Sequence, residues 1–183
     1  MRRRGRSRIT PVEVAAEAAP VNARVLTGDE VDLTRLPAPK FWPGDGGNYI
    51  GTGDITLTRD PESGRINVGC YRQMVHGPRL VGMYCSPGKH GLQDREAWWR
   101  RDAPCEVVAA YGIDPVLFMV AAQSYGADVS ELDIAGGFTG RAVELAPGAV
   151  GNLPIPARAE IVIEGIVSAE DRELEGPLGE FTG

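Results

Sequence analysis

The sequence predicts an α+β fold, rich in β-strand with a few short helices. Between Asn48 and Cys85, β-branched and aromatic residues recur in short runs broken by Gly and Pro, the pattern of strands joined by turns. Outside that stretch the helical signals are short and separate, and apolar strand-type runs return at Pro104–Tyr111 and Pro154–Val167. A β-rich domain with isolated helices accommodates both observations.

Taken in order, residues 1–20 read as a disordered or partial N-terminal lead-in or a cut helix, and residues 21–183 as one domain. Pro20, Pro37-Ala-Pro39 and Phe41-Trp-Pro43 make extended connectors. In the run Arg65–Val75, Asn67, Gly69 and Tyr71 share one strand face, and Val68, Cys70 and Arg72 the other. A second strand, Leu80–Cys85, follows His76-Gly-Pro-Arg79, and the turn Ser86-Pro-Gly-Lys-His90 after it brings His90 back beside Asn67. Gln93–Asp102 reads as a helix on which Trp98 and Trp99 must face different ways, one inward and one toward a neighbour. Pro104–Tyr111 is a buried strand, and Asp114-Pro115 opens a helix through Ala122 with Asp as cap and Pro in its first turn. In the strands of Pro154–Val167, Glu160 and Glu164 suit a solvated sheet face.

Composition narrows the function classes. A net charge of −6 argues against nucleic acid as a partner, and the basic cluster Arg2-Arg-Arg-Gly-Arg6 belongs to the tail. No apolar run approaches the roughly 20 residues of a membrane span, and the N-terminus lacks the apolar segment of a signal peptide, so a cytoplasmic protein is expected. Cys70, Cys85 and Cys105 form no C-x-x-C pair and leave an odd count, which indicates neither a zinc site nor a disulfide framework. Cys70, between Asn67 and Arg72, is placed to line a pocket as a small neutral group.

The stretch Glu175-Gly-Pro-Leu-Gly-Glu-Phe-Thr-Gly183 sets two carboxylates on the shoulders of a Gly-Pro turn, where Glu175 and Glu180 can converge on a cleft and divide acid and base roles. The same string by itself also describes a solvated acidic turn. Upstream lie Asn67-Val-Gly-Cys-Tyr-Arg72, Gly88-Lys-His90 and Ser130-Glu-Leu-Asp-Ile-Ala-Gly-Gly137, each short and ambiguous on its own.

Together these segments resemble the UbiD family of reversible decarboxylases, which depend on prenylated FMN. The resemblance runs from Leu26-Thr-Gly-Asp-Glu-Val-Asp-Leu-Thr-Arg-Leu-Pro37 through Gly46-Gly-Asn-Tyr-Ile-Gly-Thr-Gly53, Asn67–Arg72, Gly88–His90 and Glu131 to Pro156–Gly165 and the terminal loop. It implies a flavin-binding split β-barrel related to flavin reductases. It also implies a metal site of Asn67, His90 and Glu131, a mixed amide, imidazole and carboxylate set suited to Mn2+ or Mg2+ bridging to the cofactor phosphate, with a looser monovalent ion such as K+ nearby. On their own, His90 also fits a surface turn beside a lysine, and Asn67 a strand amide capping a backbone group.

The resemblance further places Arg72, Glu175 and Glu180 at the reaction centre. The planar guanidinium of Arg72 would orient the substrate carboxylate, Glu180 would return a proton after CO2 leaves, and Glu175 would pair with Arg72 and tune it. As residues alone, Arg72 and an acid equally describe a salt bridge tying a strand to a loop. Thr52 with the Gly51 and Gly53 backbone, Asn67, Gly69, Arg72, Lys89, His90, Glu131 and Gln123 with Ser124 are implied at the cofactor; family members often carry a Pro-containing stretch where this chain has Ala121-Ala-Gln-Ser-Tyr-Gly126.

Full-length members are much longer, and their C-terminal domain, which closes the site and supplies a Lys to the phosphate, has no counterpart in these residues. Lys40 and Lys89 are the only lysines. A truncated decarboxylase or one subunit of a split enzyme is therefore expected, as a homo-oligomer or with a partner chain. A flavin prenyltransferase would supply its cofactor, and its substrate would be an aromatic or α,β-unsaturated carboxylic acid. A cofactor-binding module inactive without its partner is the alternative.

Overall fold

The computed structural model describes residues 8–179. The order is β1 (Val12–Glu13), β2 (Asn48–Gly51), β3 (Ile55–Arg59), β4 (Ile66–Gly69), β5 (Gln73–Gly77), β6 (Leu80–Val81), α1 (His90–Trp99), β7 (Cys105–Tyr111), α2 (Pro115–Ala121), α3 (Glu131–Thr139), β8 (Glu144–Pro147), β9 (Pro154–Pro156) and β10 (Ile161–Val167). Short 3-10 turns occupy the connector between β1 and β2. The expected α+β class and the few helices are present. The strands form three separate sheets, ordered β10-β7-β3-β4, β2-β5-β6 and β1-β8-β9, and among the described residues no ladder closes them into a barrel. No helix among the described residues is long and apolar enough to cross a membrane.

The four-stranded antiparallel sheet organises the rest. β3 alternates Ile55 and Leu57 with Thr56 and Thr58, and all four are buried. Ile55 and Leu57 join Val68, Val108, Ala110, Leu117, Val120, Leu132, Ala135 and Ile155 in the apolar core, so α2, α3 and β9 pack on that side. The threonines point the other way. Threonine suits this position because its β-branched body packs like valine while its hydroxyl meets the polar groups there. Thr58 donates to Asp94 of α1 at 2.6 Å, and Thr56 accepts from Gln73 of β5 at 3.0 Å.

The helix at Asp114–Ala122 forms as read: the Asp114 carboxylate accepts from the Val116 N–H at 2.8 Å and Pro115 is the first helical residue. Helix α1 begins earlier than its periodicity suggests, at His90, and ends at Trp99. Both tryptophans are half-buried and anchored, Trp98 donating to Arg59 O at 2.7 Å and Trp99 to Val167 O at 3.0 Å, with Arg95 and Arg172 stacked over the Trp99 ring. Helix α3 was not read from the sequence, although its start carries a cap: Ser130 Oγ accepts from the Asp133 N–H at 3.2 Å.

Two other expectations change. Residues 9–19 are tied into the fold, with Ile9 N donating to Asp133 O, β1 pairing parallel with β8 and Ala19 buried in the core. Glu164 does not merely face solvent. Its carboxylate accepts from the N–H groups of Ala149, Val150 and Gly151, pinning the β8–β9 loop.

Candidate functional site

One cleft is lined by Asn67, Gly69 and Cys70 from the end of β4, by Lys89 and His90 at the start of α1, by Gln123 and Ser124 after α2, and by Glu131 at the start of α3. Among the described residues β4 is the edge strand of its sheet, with no further strand paired beyond it. Two helix N-termini meet here, since His90 and Glu131 are the first residues of α1 and α3. Their dipoles favour an anion such as a phosphate, with the Gly91 and Asp133 N–H groups already taken by the Tyr71 hydroxyl and Ser130 Oγ. Lys89 adds a cation and donates to Ser124 Oγ at 3.4 Å.

Asn67 is 3% exposed and both its amide hydrogens are committed, to Thr58 Oγ1 at 3.0 Å and to the Tyr71 hydroxyl at 3.3 Å. Its carbonyl oxygen is the group left for the cleft. Tyr71 also accepts from the Gly91 N–H at 3.0 Å, and its hydroxyl would lie 2.7 Å from a Cβ at position 91, so α1 can start this close to the ring because residue 91 is glycine. Glu131 is 3% exposed, and its Oε2 is buried without a hydrogen-bond partner among the described residues. Burial lifts its carboxyl above the usual range, against the opposing pull of backbone N–H groups and Arg65.

Among the described residues no three His, Cys, Asp or Glu side chains come together as a metal cluster; the set here is mixed. An orphaned carboxylate oxygen beside an imidazole and an amide is the donor set of a hard divalent cation, so the residues fit the metal implied for them. Cys70 lines the same cleft with its thiol pushed by burial up to about 11, a neutral group as expected. Thr52 is exposed on the β2–β3 turn and lies outside this lining, as do Arg72 and Glu175.

Arg72 and Glu175 form a second cluster. Arg72 Nε and Nη2 donate to the two Glu175 oxygens at 2.8 and 2.6 Å, a fork-to-carboxylate pair spanning 103 residues of chain. The Tyr49 hydroxyl donates to Glu175 Oε1 at 3.0 Å, and the Arg72 guanidinium stacks 4.5 Å from the Tyr84 ring centroid. Burial, then the contact with Glu175, raises the Tyr49 hydroxyl, which keeps it a donor. Glu180 lies outside the described residues.

The loop carrying Glu175 is fastened by residues that sequence reasoning missed. Asp45 accepts from the Gly179 N–H at 2.8 Å and from the Trp42 N–H at 2.9 Å, and these contacts hold its carboxyl below the usual range. Gly46 N donates to Pro177 O at 2.7 Å. A Cβ at Gly46 would fall 2.0 Å from Gly176 O, a backbone atom that cannot swing aside. Gly46→Ala is therefore expected to expel residues 175–179 and cost about 1–3 kcal/mol. Limited proteolysis checks this, and unchanged protection of the loop would refute the contact's importance.

A larger cleft, about 460 Å3, is lined by residues including Leu117, Ala135, Arg141 and Arg158. Its arginines already pair with Asp114 and Glu144, and it gathers none of the candidate catalytic, metal or cofactor residues.

A family model described as the 3-octaprenyl-4-hydroxybenzoate carboxy-lyase Rift-related domain matches residues 12–183. The chain belongs to the UbiD family. Among solved structures it is similar to the UbiD-class enzyme HmfF from Pelotomaculum thermopropionicum in complex with FMN, at 33% identity and a TM-score of 0.90 over 96% of this chain and 39% of that one. It is also similar to the vanillic acid decarboxylase VdcCD of Sedimentibacter hydroxybenzoicus in closed form, at 28% identity and a TM-score of 0.91 over 97% and 38%. For apo 3,4-dihydroxybenzoic acid decarboxylase AroY of Klebsiella pneumoniae the values are 30% and 0.80 over 89% and 35%. The chain thus spans between 35% and 39% of the length of these three UbiD-class chains.

Proposed function

We propose that this chain forms the prenylated-FMN and divalent-metal site of a reversible, non-oxidative decarboxylase acting on an aromatic or α,β-unsaturated carboxylic acid. The observation that carries the reading is the convergence of Asn67, His90 and Glu131 on one cleft, with a buried Glu131 oxygen lacking a partner among the described residues. HmfF has been solved with FMN and, in an evolved dimeric form, with prenylated FMN, which supports a flavin here.

The N-termini of α1 and α3 and the Lys89 ammonium would hold the flavin phosphate, and Asn67, His90 and Glu131 an Mn2+ or Mg2+ ion that offsets the repulsion between phosphate and carboxylate. Bound prenylated FMN supplies the electron sink that no ordinary side chain offers an aryl or vinyl carbon. The protein's share is positioning and proton handling. Arg72 is assigned the substrate carboxylate because its guanidinium stays charged and its planar fork of N–H donors matches a carboxylate, as its pairing with both Glu175 oxygens illustrates. Glu175 keeps the cluster's net charge low, and Glu180 is assigned the proton returned to the reacting carbon once CO2 has left. The Cys70 thiol, neutral at working pH, adds no charge to the site.

To test this, the chain is purified from cells that also make a flavin prenyltransferase, with manganese supplied. Stoichiometric flavin and Mn2+ are expected for the parent, and Glu131→Gln should lose both; unchanged metal occupancy in that variant would contradict the ligand assignment.

A second reading makes the chain one component of a larger assembly. VdcCD has two named components, one of them truncated in one of its open-form structures, and here Trp42 and Leu174, near the Arg72–Glu175 cluster in chain and loop, are 60% and 89% exposed. Apolar side chains so exposed favour a partner surface. A chain that purifies empty and gains flavin only on adding its partner supports this second reading over the first.

A further inference from the structure

Beneath the cleft, a buried hydrogen-bond chain runs away from Asn67. Thr58 Oγ1 accepts from Asn67 Nδ2 at 3.0 Å and donates to Asp94 Oδ2 at 2.6 Å, and Asp94 Oδ1 accepts from Arg65 Nη2 at 3.1 Å. Asn67, Thr58 and Asp94 are at most 3% exposed, so water does not substitute for these partners. The register makes the chain possible: Thr58 sits directly opposite Asn67 across the β3–β4 ladder, and α1 lays Asp94 over the same sheet face.

The direction of this chain is forced. As the carboxylate partner of the Arg65 guanidinium, which opposes the burial that raises its carboxyl, Asp94 accepts, so the single Thr58 hydrogen goes to it. The Thr58 oxygen is then an acceptor, and only the NH2 end of the Asn67 amide can satisfy it. The amide's two ends are nearly equal in shape, and nothing but hydrogen bonding distinguishes them. An amide turned the other way would present hydrogens, which repel a cation, to the cleft.

We propose that Thr58 and Asp94, neither of which lines the cleft, are positioning residues that set the Asn67 amide with its oxygen toward a divalent cation. The inference deepens the metal-site reading above and rests on it. Neither residue belongs to the ligand set, and neither was singled out by the sequence.

The test is Mn2+ binding by electron paramagnetic resonance to the full chain with FMN present, a readout independent of turnover. Thr58→Val keeps the shape and removes the hydroxyl; it should weaken Mn2+ binding by about 10–100-fold. Thr58→Ser, which restores a hydroxyl at the same atom, should bind within about threefold of the parent. Asp94→Asn, isosteric and able to donate to Thr58, should reverse the chain and lose Mn2+ similarly, and it serves in place of Thr58→Val if that variant does not fold. Parent-like Mn2+ affinity in the Thr58→Val or Asp94→Asn chain overturns the proposal and leaves the metal site standing. Equal losses in Thr58→Val and Thr58→Ser also overturn it, because packing and not the hydroxyl would be responsible. A parent that binds no Mn2+ with FMN present overturns both the metal-site reading and this inference.

Discussion

Arg72→Ala is expected to cut CO2 release by about 10³-fold, equivalent to about 4 kcal/mol of barrier, while leaving flavin bound. The expectation follows from what surrounds the guanidinium. It is held on one side by both Glu175 oxygens and stacked on Tyr84, so its orientation is set before any substrate arrives. Alanine removes the group assigned to the substrate carboxylate and also takes from Glu175 its guanidinium partner, leaving it the Tyr49 hydroxyl, so a carboxylate without its counter-charge would face an incoming anion. Arg72→Lys keeps the charge but not the planar fork and should recover only part of the loss. The loop itself should survive, because the Asp45–Gly179 and Gly46–Pro177 contacts do not involve Arg72. The measurement is CO2 release from an aromatic acid by the flavin-loaded assembly, with flavin absorbance read in parallel; undiminished release would remove Arg72 from the carboxylate-anchor role.

Asp54 should make the fold less stable as pH rises from about 4 to about 7. This carboxyl is 1% exposed in a network in which Gln73 Nε2 donates to it at 3.2 Å and to Thr56 Oγ1 at 3.0 Å, and in which the Tyr111 hydroxyl donates to Gln73. Burial is the main cause that lifts its pKa from 3.8 to about 7. Below the unfolded value both states hold the proton and stability is unaffected. Between the two values the unfolded chain releases the proton and the folded chain keeps it, so unfolding becomes easier with each pH unit. Above the folded value both are ionised and the loss is complete, amounting to roughly 4 kcal/mol at about 1.4 kcal/mol per unit. Asp54→Asn keeps an acceptor for Gln73 and cannot ionise. It should match the parent near pH 4 and exceed it above pH 7 in urea midpoint. A difference between variant and parent that is the same at both pH values would refute the assignment.

Much of this was legible because its physics is local. Asp114 and Pro115 announce a helix start through a side-chain cap and a missing N–H, and both act within a turn. The alternation around Asn67 ends with β4 at Gly69: Cys70, expected on the opposite face, lines the same cleft as Asn67, and Tyr71 folds back to bond the Asn67 amide. The start of α3 is weakly marked in the sequence although Ser130 caps it, because the Gly136-Gly137 pair inside the segment lowers its helix propensity. The early start of α1 is similar: Ser86-Pro-Gly88 reads as a turn, and the Gly91 N–H that opens the helix is held by the distant Tyr71 hydroxyl.

The sequence by itself determined the β-rich α+β class, the capped helix α2 and the family, because propensity, capping and ordered motifs are written in neighbouring residues. Tertiary structure alone decided which groups meet. Thr58 reaches Asp94 across 36 residues through strand register and helix packing that no local pattern specifies, and the Arg72–Glu175 pair, 103 residues apart, is implied by the family resemblance and not by any local pattern. The same is true of ionisation. Asp54 and Glu131 look like any other acids in the chain, and it is their removal from water by distant elements that raises one to about 7 and leaves an oxygen of the other without a hydrogen-bond partner among the described residues.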